Sequence, residues 1–146
     1  MLALLRTAIL ASAVGLVLTG APALAATEKF TADLEAASET PPTTSNGTGQ
    51  ATITYDTVTK RLTWSITYKG LTGKATAAHF HGPAAVGASA PPLIPITGKL
   101  ASPIKGHATL TADEIKDLEG GMLYFNIHTA KNPNGEIRGQ VVTVSP

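Results

Sequence analysis

Cysteine is absent from the sequence, which excludes thiol nucleophiles, thiolate metal sites and iron–sulfur clusters outright. It also removes the disulfides that small exported domains often use to supplement a small core. Stability must then come from packing, backbone pairing or a bound ion. An excess of either charge is missing too: eleven Lys and Arg face ten Asp and Glu, with no cluster of positive residues. A nucleic-acid or polybasic lipid surface needs such a cluster, so neither partner is expected. There is no GxSxG elbow, HExxH helix, Walker loop or dinucleotide glycine pattern, and no internal repeat or heptad pattern.

The one long apolar run lies at the start. MLALLRTAILASAVGLVLTGAPALA (1–25) has the three-part layout of a secretory signal: Arg6, an apolar run from Thr7 to Leu18, and the breakers Gly20 and Pro22 before Ala23-Leu24-Ala25. The small-x-small ending predicts cleavage after Ala25. The apolar core falls short of the roughly 20 residues a spanning helix needs, so no membrane span is expected after cleavage and the mature protein is expected to be secreted or periplasmic. Loss of Arg6 leaves ten Lys and Arg against ten Asp and Glu. Residues 26–146 suffice for one domain with a modest core.

That region reads as short alternating runs separated by Gly, Pro, Asn and Ser, the pattern of an antiparallel β domain. In RLTWSITYKG, Leu62, Trp64, Ile66 and Tyr68 fall on one face and Thr63, Ser65 and Thr67 on the other. GQATITYD repeats the pattern, and the short DTVTK between them predicts a hairpin. Further strands are expected at 29–36, 75–81, 92–97, 105–110, 121–129 and 136–144, with Pro95 confining its strand to an edge or bulge. Eight strands in a chain of this length predict an all-β, antiparallel Greek-key sandwich or barrel. One short helix is expected in LTADEIKDLEGG, capped by Thr111 with Glu114 reaching back and closed by Gly120 or Gly121. Its acidic residues Asp113, Glu114, Asp117 and Glu119 read as a solvated face. Residues 38–49 and 82–92 read as loops.

Strand parity places the histidines. Phe80 and Ala78 face the core, so His79 and His81 face away. Leu123, Phe125 and Ile127 do the same for the next strand and turn Tyr124, Asn126 and His128 outward. Ala108 and Leu110 leave His107 outward. An i, i+2 pair on a strand presents two imidazole nitrogens from one rigid edge. His128 is the best third ligand by parity and His107 the next. Three or four imidazoles without thiolate suit copper or zinc rather than calcium or magnesium. In NPNGEIRGQV, Asn134-Gly135 signals a turn, and Glu136 and Arg138 share a strand face. The simpler expectation for them is a surface ion pair worth less than ~1 kcal/mol. The sharper one puts the Arg138 guanidinium beside the histidines, where it attracts an anion or holds a carboxylate. Asn126, Glu136 and Arg138 are therefore the candidate supporting or anion-binding residues.

Taken in order, LEAASETPPTTSNGTGQATITYD, LTWSITYKGLTGKATAAHFHGPA, LTADEIKDLEGGMLYFNIHT and NPNGEIRGQV resemble the CHRD domain, described first as a repeat in chordin and widespread in secreted bacterial proteins. The resemblance spans essentially all of residues 26–146. It implies a secreted, β-rich, single-domain module whose hallmark segments fall here on His79, His81, Gly82, Pro83, Asn126, His128, Glu136, Arg138 and Gly139. A fainter resemblance is to copper–zinc superoxide dismutase, in the order of His79, His81, His128 and Arg138. The chain departs from that enzyme in having no cysteine pair, no evident metal-bridging histidine and no evident zinc subsite.

Three functions follow as expectations. The first is a secreted binding module with a copper or zinc site. The second is a metal-free structural or protein-interaction domain of the cell envelope, its histidines tying loops to the sandwich. The third is a copper redox enzyme, which requires an open coordination position.

Overall fold

The computed structural model describes residues 26–144; the expected leader, 1–25, lies outside the described residues. Nine strands form one continuous antiparallel arrangement: β1 (Thr27–Glu35), β2 (Thr48–Asp56), β3 (Arg61–Lys69), β4 (Ala75–His81), β5 (Pro92–Pro95), β6 (Ile104–Thr109), β7 (Tyr124–Thr129), β8 (Ile137–Gln140) and β9 (Val142–Thr143). The neighbour order is β5-β4-β7-β8-β1-β2-β3-β6, with β9 beside β1. The chain crosses between the two ends of this order at β3 to β4, β5 to β6 and β6 to β7, which folds the sheet into the expected antiparallel sandwich or nearly closed barrel. Among the described residues no helix is long and apolar enough to cross a membrane.

Local chemistry accounts for the elements. The β2–β3 hairpin pairs Asp56 with Arg61, and the Asp56 carboxylate accepts from the Val58 and Thr59 N–H groups at 3.0 and 2.7 Å to hold the turn. The helix α1 (Ala112–Glu119) starts with the expected capping box: Thr111 Oγ1 accepts from Glu114 N–H, and Glu114 accepts from Thr111 N–H. Of the two glycines after it, Gly121 takes the left-handed conformation, at φ 66°. Pro95 sits on the edge strand β5, where its missing N–H costs no ladder bond. The expected strand 136–144 instead divides into β8 and β9. The break falls at Val141, which is buried and donates its N–H to Leu123 O at 2.9 Å, one residue beyond the paired Tyr124 and Gln140.

The core fills the space between the two halves. Trp64 of β3 meets Phe80 of β4 edge-on at 5.3 Å, and Phe80 meets Phe125 of β7 at 4.8 Å. Phe30, Leu34, Ile53, Leu62, Ile66, Ile104, Leu118, Leu123, Ile127 and Ile137 pack with them, all fully buried. Each such side chain contributes about 1.5–3 kcal/mol of hydrophobic transfer free energy. This core locks the parity of β4 and β7, because a one-residue slip would turn Phe80 and Phe125 outward.

Candidate metal centre

With Phe80, Phe125 and Ile127 committed to the core, the other side chains of β4, β7 and β8 share the opposite face. Register sets them in rows: Ala77 opposite His128, His79 opposite Asn126 and then Arg138, His81 opposite Tyr124 and then Gln140. Parity predicts this face correctly, but not its surroundings. The segments 36–46 and 82–91 fold back over it, so that His81, Tyr124, Asn126 and Arg138 are buried, at 3–6% exposure. His79 and His128 remain half-buried at the margin.

His79 Nδ1 lies 3.2 Å from His128 Nε2. His128 Nδ1 is 2.9 Å from the Pro133 carbonyl, an acceptor only, so Nδ1 carries the hydrogen and Nε2 presents a lone pair. A carbonyl behind the ring that fixes the tautomer in this way is the usual support of a metal-ligating histidine. Two nitrogens at this separation, each roughly 2.0–2.1 Å from one ion, subtend an angle of about 100° at it, close to tetrahedral. Burial, followed by the neighbouring His128 and His81, lowers the His79 pKa and favours the neutral ring that a metal requires.

His81 is the third member; one nitrogen from each of the three rings lies within 4.8 Å of the others. Its Nδ1 donates to Ala90 O at 2.9 Å, and its Nε2 meets the Asn126 side-chain amide at 2.9 Å. Burial, the largest influence, lowers its pKa, although its hydrogen bonds to Ala90 and Asn126 oppose the shift. Ligands of one tetrahedral ion stand about 3.4 Å apart at these bond lengths. Capture by all three rings therefore needs the triad to contract by roughly an ångström or more from its 4.8 Å spread, with His81 giving up Asn126.

The covering loop 82–91 is strapped to this face. The Tyr124 ring stacks on His81 at 4.7 Å and 4°, and the Arg138 guanidinium carbon lies 3.4 Å from the Tyr124 ring centroid. Two groups so close to one ring must take its two faces, so Tyr124 is sandwiched between a cation and an imidazole. Arg138 also donates to Ala88 O at 2.6 Å, Tyr124 Oη donates to Ala90 O at 3.1 Å, and Gln140 donates to Ala84 O at 2.9 Å. The sharper expectation for Arg138, a guanidinium beside the histidine face, matches this placement. The simpler expectation of a surface ion pair with Glu136 does not: both residues are buried and each has its own partners.

Glu136 is fully buried among donors. Its carboxylate accepts from Ser45 Oγ at 2.6 Å, Thr72 N–H and Oγ1 at 2.7 Å each, Asn132 Nδ2 at 3.0 Å and the Thr129 hydroxyl. Burial alone would raise its pKa, but the hydrogen bonds from Ser45, Thr129 and Thr72 outweigh it and bring the pKa down to about 2. The result is a staple joining the segments 43–47, 70–74 and 129–136.

His107 does not join the other histidines. It is exposed on β6, at the far end of the strand order, opposite Thr63 of β3. Sequence reasoning missed Glu39, whose carboxyl is buried beside Asn126 and Gly135. Burial raises its pKa to about 7 against the opposing influence of Arg138, the Thr40 N–H and Asn126. Nothing local marks it, since it sits in a polar, proline-bearing stretch that reads as a loop. It also passed over Tyr124 as a stacking platform, although parity set that residue beside the histidines.

No curated protein and no solved structure matches the chain. The family model of the CHRD domain matches residues 30–141, from the fourth residue of β1 to the residue between β8 and β9 and so through every residue of the histidine face, and the chain belongs to the CHRD domain family.

Proposed function

We propose that this CHRD domain is a secreted module that binds one transition-metal ion, copper or zinc, through His79, His128 and His81. The observation that carries the reading is the pair His79 Nδ1 and His128 Nε2 at 3.2 Å, with His128 Nδ1 held by Pro133 O. An all-imidazole set selects copper or zinc over hard cations. The ion serves storage, delivery or stabilisation of the covering loops. Export rests on the leader-like residues 1–25. The test is titration calorimetry of residues 26–146 with Cu²⁺ and Zn²⁺, with one ion expected per chain. Absence of uptake at micromolar metal would sink the reading.

A second reading is supported by the hydrogen bond from His81 Nδ1 to Ala90 O. In it the domain is a metal-free structural or protein-interaction module of the envelope, and the histidines hold loop 82–91 in place for an unidentified protein partner. Replacing His79 and His81 by alanine then lowers the melting temperature equally with and without metal. The metal reading requires a stabilisation by metal that the double variant loses.

A further inference from the structure

Arg138 is a buried cation with unused hydrogen-bond donors. A guanidinium carries five N–H groups. Here one from Nη2 goes to Ala88 O at 2.6 Å, and one from Nη1 reaches Thr40 Oγ1 at a long 3.5 Å. The other three have no acceptor among the described residues, although Arg138 is only 3% exposed. Stacking on Tyr124 offsets part of the cost of burying the charge, but it occupies the flat face of the guanidinium and leaves the edge free. Buried charges are normally paired and hydrogen-bonded, whereas both acceptors of Arg138 are neutral. Glu39 lines the same cleft without bonding to the guanidinium: its Oε1 is buried with no partner and lies over Gly135 beside Asn126 Nδ2.

The cleft in question, of about 300 Å³, runs between the segment 37–40 and the tip of the covering loop, with Arg138 in its lining. Ser38 and Thr40 bring two hydroxyls to it, and Ala37 and Val86 add apolar surface at its exposed rim. A fork of free N–H donors beside hydroxyls, in a place that lacks a bonded negative charge, is suited to a carboxylate. The volume admits only a small molecule, and the apolar rim suits a short hydrocarbon tail.

We propose that this cleft binds a small organic carboxylate, whose oxygens accept from the free edge of Arg138 and whose apolar end rests against Ala37 and Val86. The site goes beyond the metal reading and does not depend on it, since Tyr124 stands between Arg138 and His81 with one on each ring face. A bound carboxylate supplies the negative partner that the guanidinium lacks. It also ties the segment 37–40 to the covering loop, which the Thr40 hydroxyl now bridges only by a long 3.4 Å bond to Gly87 O.

The test titrates metal-free residues 26–146 with sodium butyrate into the tens of millimolar at constant ionic strength, following the Thr40 and Gly87 amides by ¹H–¹⁵N NMR. Butyramide, of the same shape but uncharged, is the control. Saturable movement of both signals with butyrate and none with butyramide is expected. No saturable response, an equal response to the two compounds, or butyrate shifts that leave Thr40 and Gly87 unmoved overturns the proposal. Arg138→Lys keeps the charge but loses the fork, and is expected to weaken butyrate binding about tenfold or more; unchanged affinity overturns the role of Arg138. Glu39→Gln removes the one carboxyl from the cleft lining and is expected to bind butyrate at least as tightly as wild type; weaker binding counts against the proposal. Should Arg138→Lys fail to fold, the butyrate and butyramide titrations of wild type decide the matter. Because no metal is present, this test and the metal titration fail independently.

Discussion

His79 Nδ1 and His128 Nε2 face each other at 3.2 Å across the β4–β7 ladder, although the two residues are not direct cross-strand partners. His79 is opposite Asn126, and His128 is opposite Ala77. The rings meet diagonally because the small Ala77 leaves the space beside His128 open, and diagonal pairs on one sheet face are within reach of long side chains.

This geometry makes His79 and His128 the primary ligands. His79→Ala or His128→Ala should weaken copper or zinc binding at least ~100-fold, since loss of an outer supporting group alone costs ~10–100-fold. His107→Ala, on the far strand β6, should leave binding unchanged. Calorimetric titration of the three variants checks both halves. Equal effects at His107 and His79 would show that uptake is not at the triad.

His81 differs because one of its nitrogens is committed to a loop. In metal-free protein, His81→Ala removes the donor to Ala90 O and the ring stacked on Tyr124. Ala90 O keeps the Tyr124 hydroxyl, but the buried Asn126 amide loses its partner; a loss of ~1–3 kcal/mol is expected, and faster proteolysis is expected within 82–91. Thermal melts in chelator and a proteolysis time course measure these effects. His79→Ala should show neither, since its ring bonds no loop carbonyl.

Glu136 should dominate acid denaturation. Its folded pKa, about 2, lies below its ordinary value of 4.5, so its stabilisation is present above 4.5 and is lost as pH falls toward about 2. Glu136→Gln should flatten the melting temperature across that window. It should also destabilise the protein at neutral pH by ~2–3 kcal/mol, because an amide nitrogen would face the ring of donors. A wild-type acid limb left unchanged by the substitution would refute this role.

Glu39 should act in the opposite sense. Its folded pKa, about 7, is above the ordinary 4.5, so the contribution of its protonated form is complete below 4.5 and disappears as pH rises through about 7. Glu39→Gln cannot ionise. It should melt like wild type near pH 4 and progressively higher than wild type up to about pH 8. Parallel melting curves for the two proteins over this range would contradict the assignment.

The strands, the capped helix and the outward parity of all four histidines were legible in the sequence, because period-2 alternation around residues such as Phe80 and Phe125 is a local signal. The His79–His128 approach was partly legible: parity puts both on one face, but only the β4–β7 register makes them neighbours. Burial of that face was not legible, because it depends on where two irregular segments fold. The same cause hid Glu39 and made a surface ion pair of Glu136 with Arg138 the simpler of the two expectations. A carboxylate inside a ring of hydroxyls and one beside water look alike until Ser45, Thr72 and Thr129 are brought together from three segments.

Gly135 links the turn to the buried Glu39 and Asn126 side chains and gives the most localised test of the site. The Asn134-Gly135 signal predicts a turn, and Gly135 takes φ 127°, a conformation open to glycine and strained for other residues. The second constraint comes from packing, since its missing Cβ is the space that the Glu39 carboxyl and the Asn126 amide occupy. Gly135→Ala therefore meets backbone strain and collision together, with an expected loss of about 2 kcal/mol or more. The turn also carries Pro133, whose carbonyl orients His128, so the His128 ring should lose its fixed tautomer as well. Turn strain alone predicts lower stability and an altered His128 ring with the ¹⁵N signals of His81 unchanged. Collision with the Glu39 and Asn126 side chains predicts that the His81 ring, which meets Asn126, changes as well. Melting and ring-nitrogen NMR on this one variant separate the two outcomes.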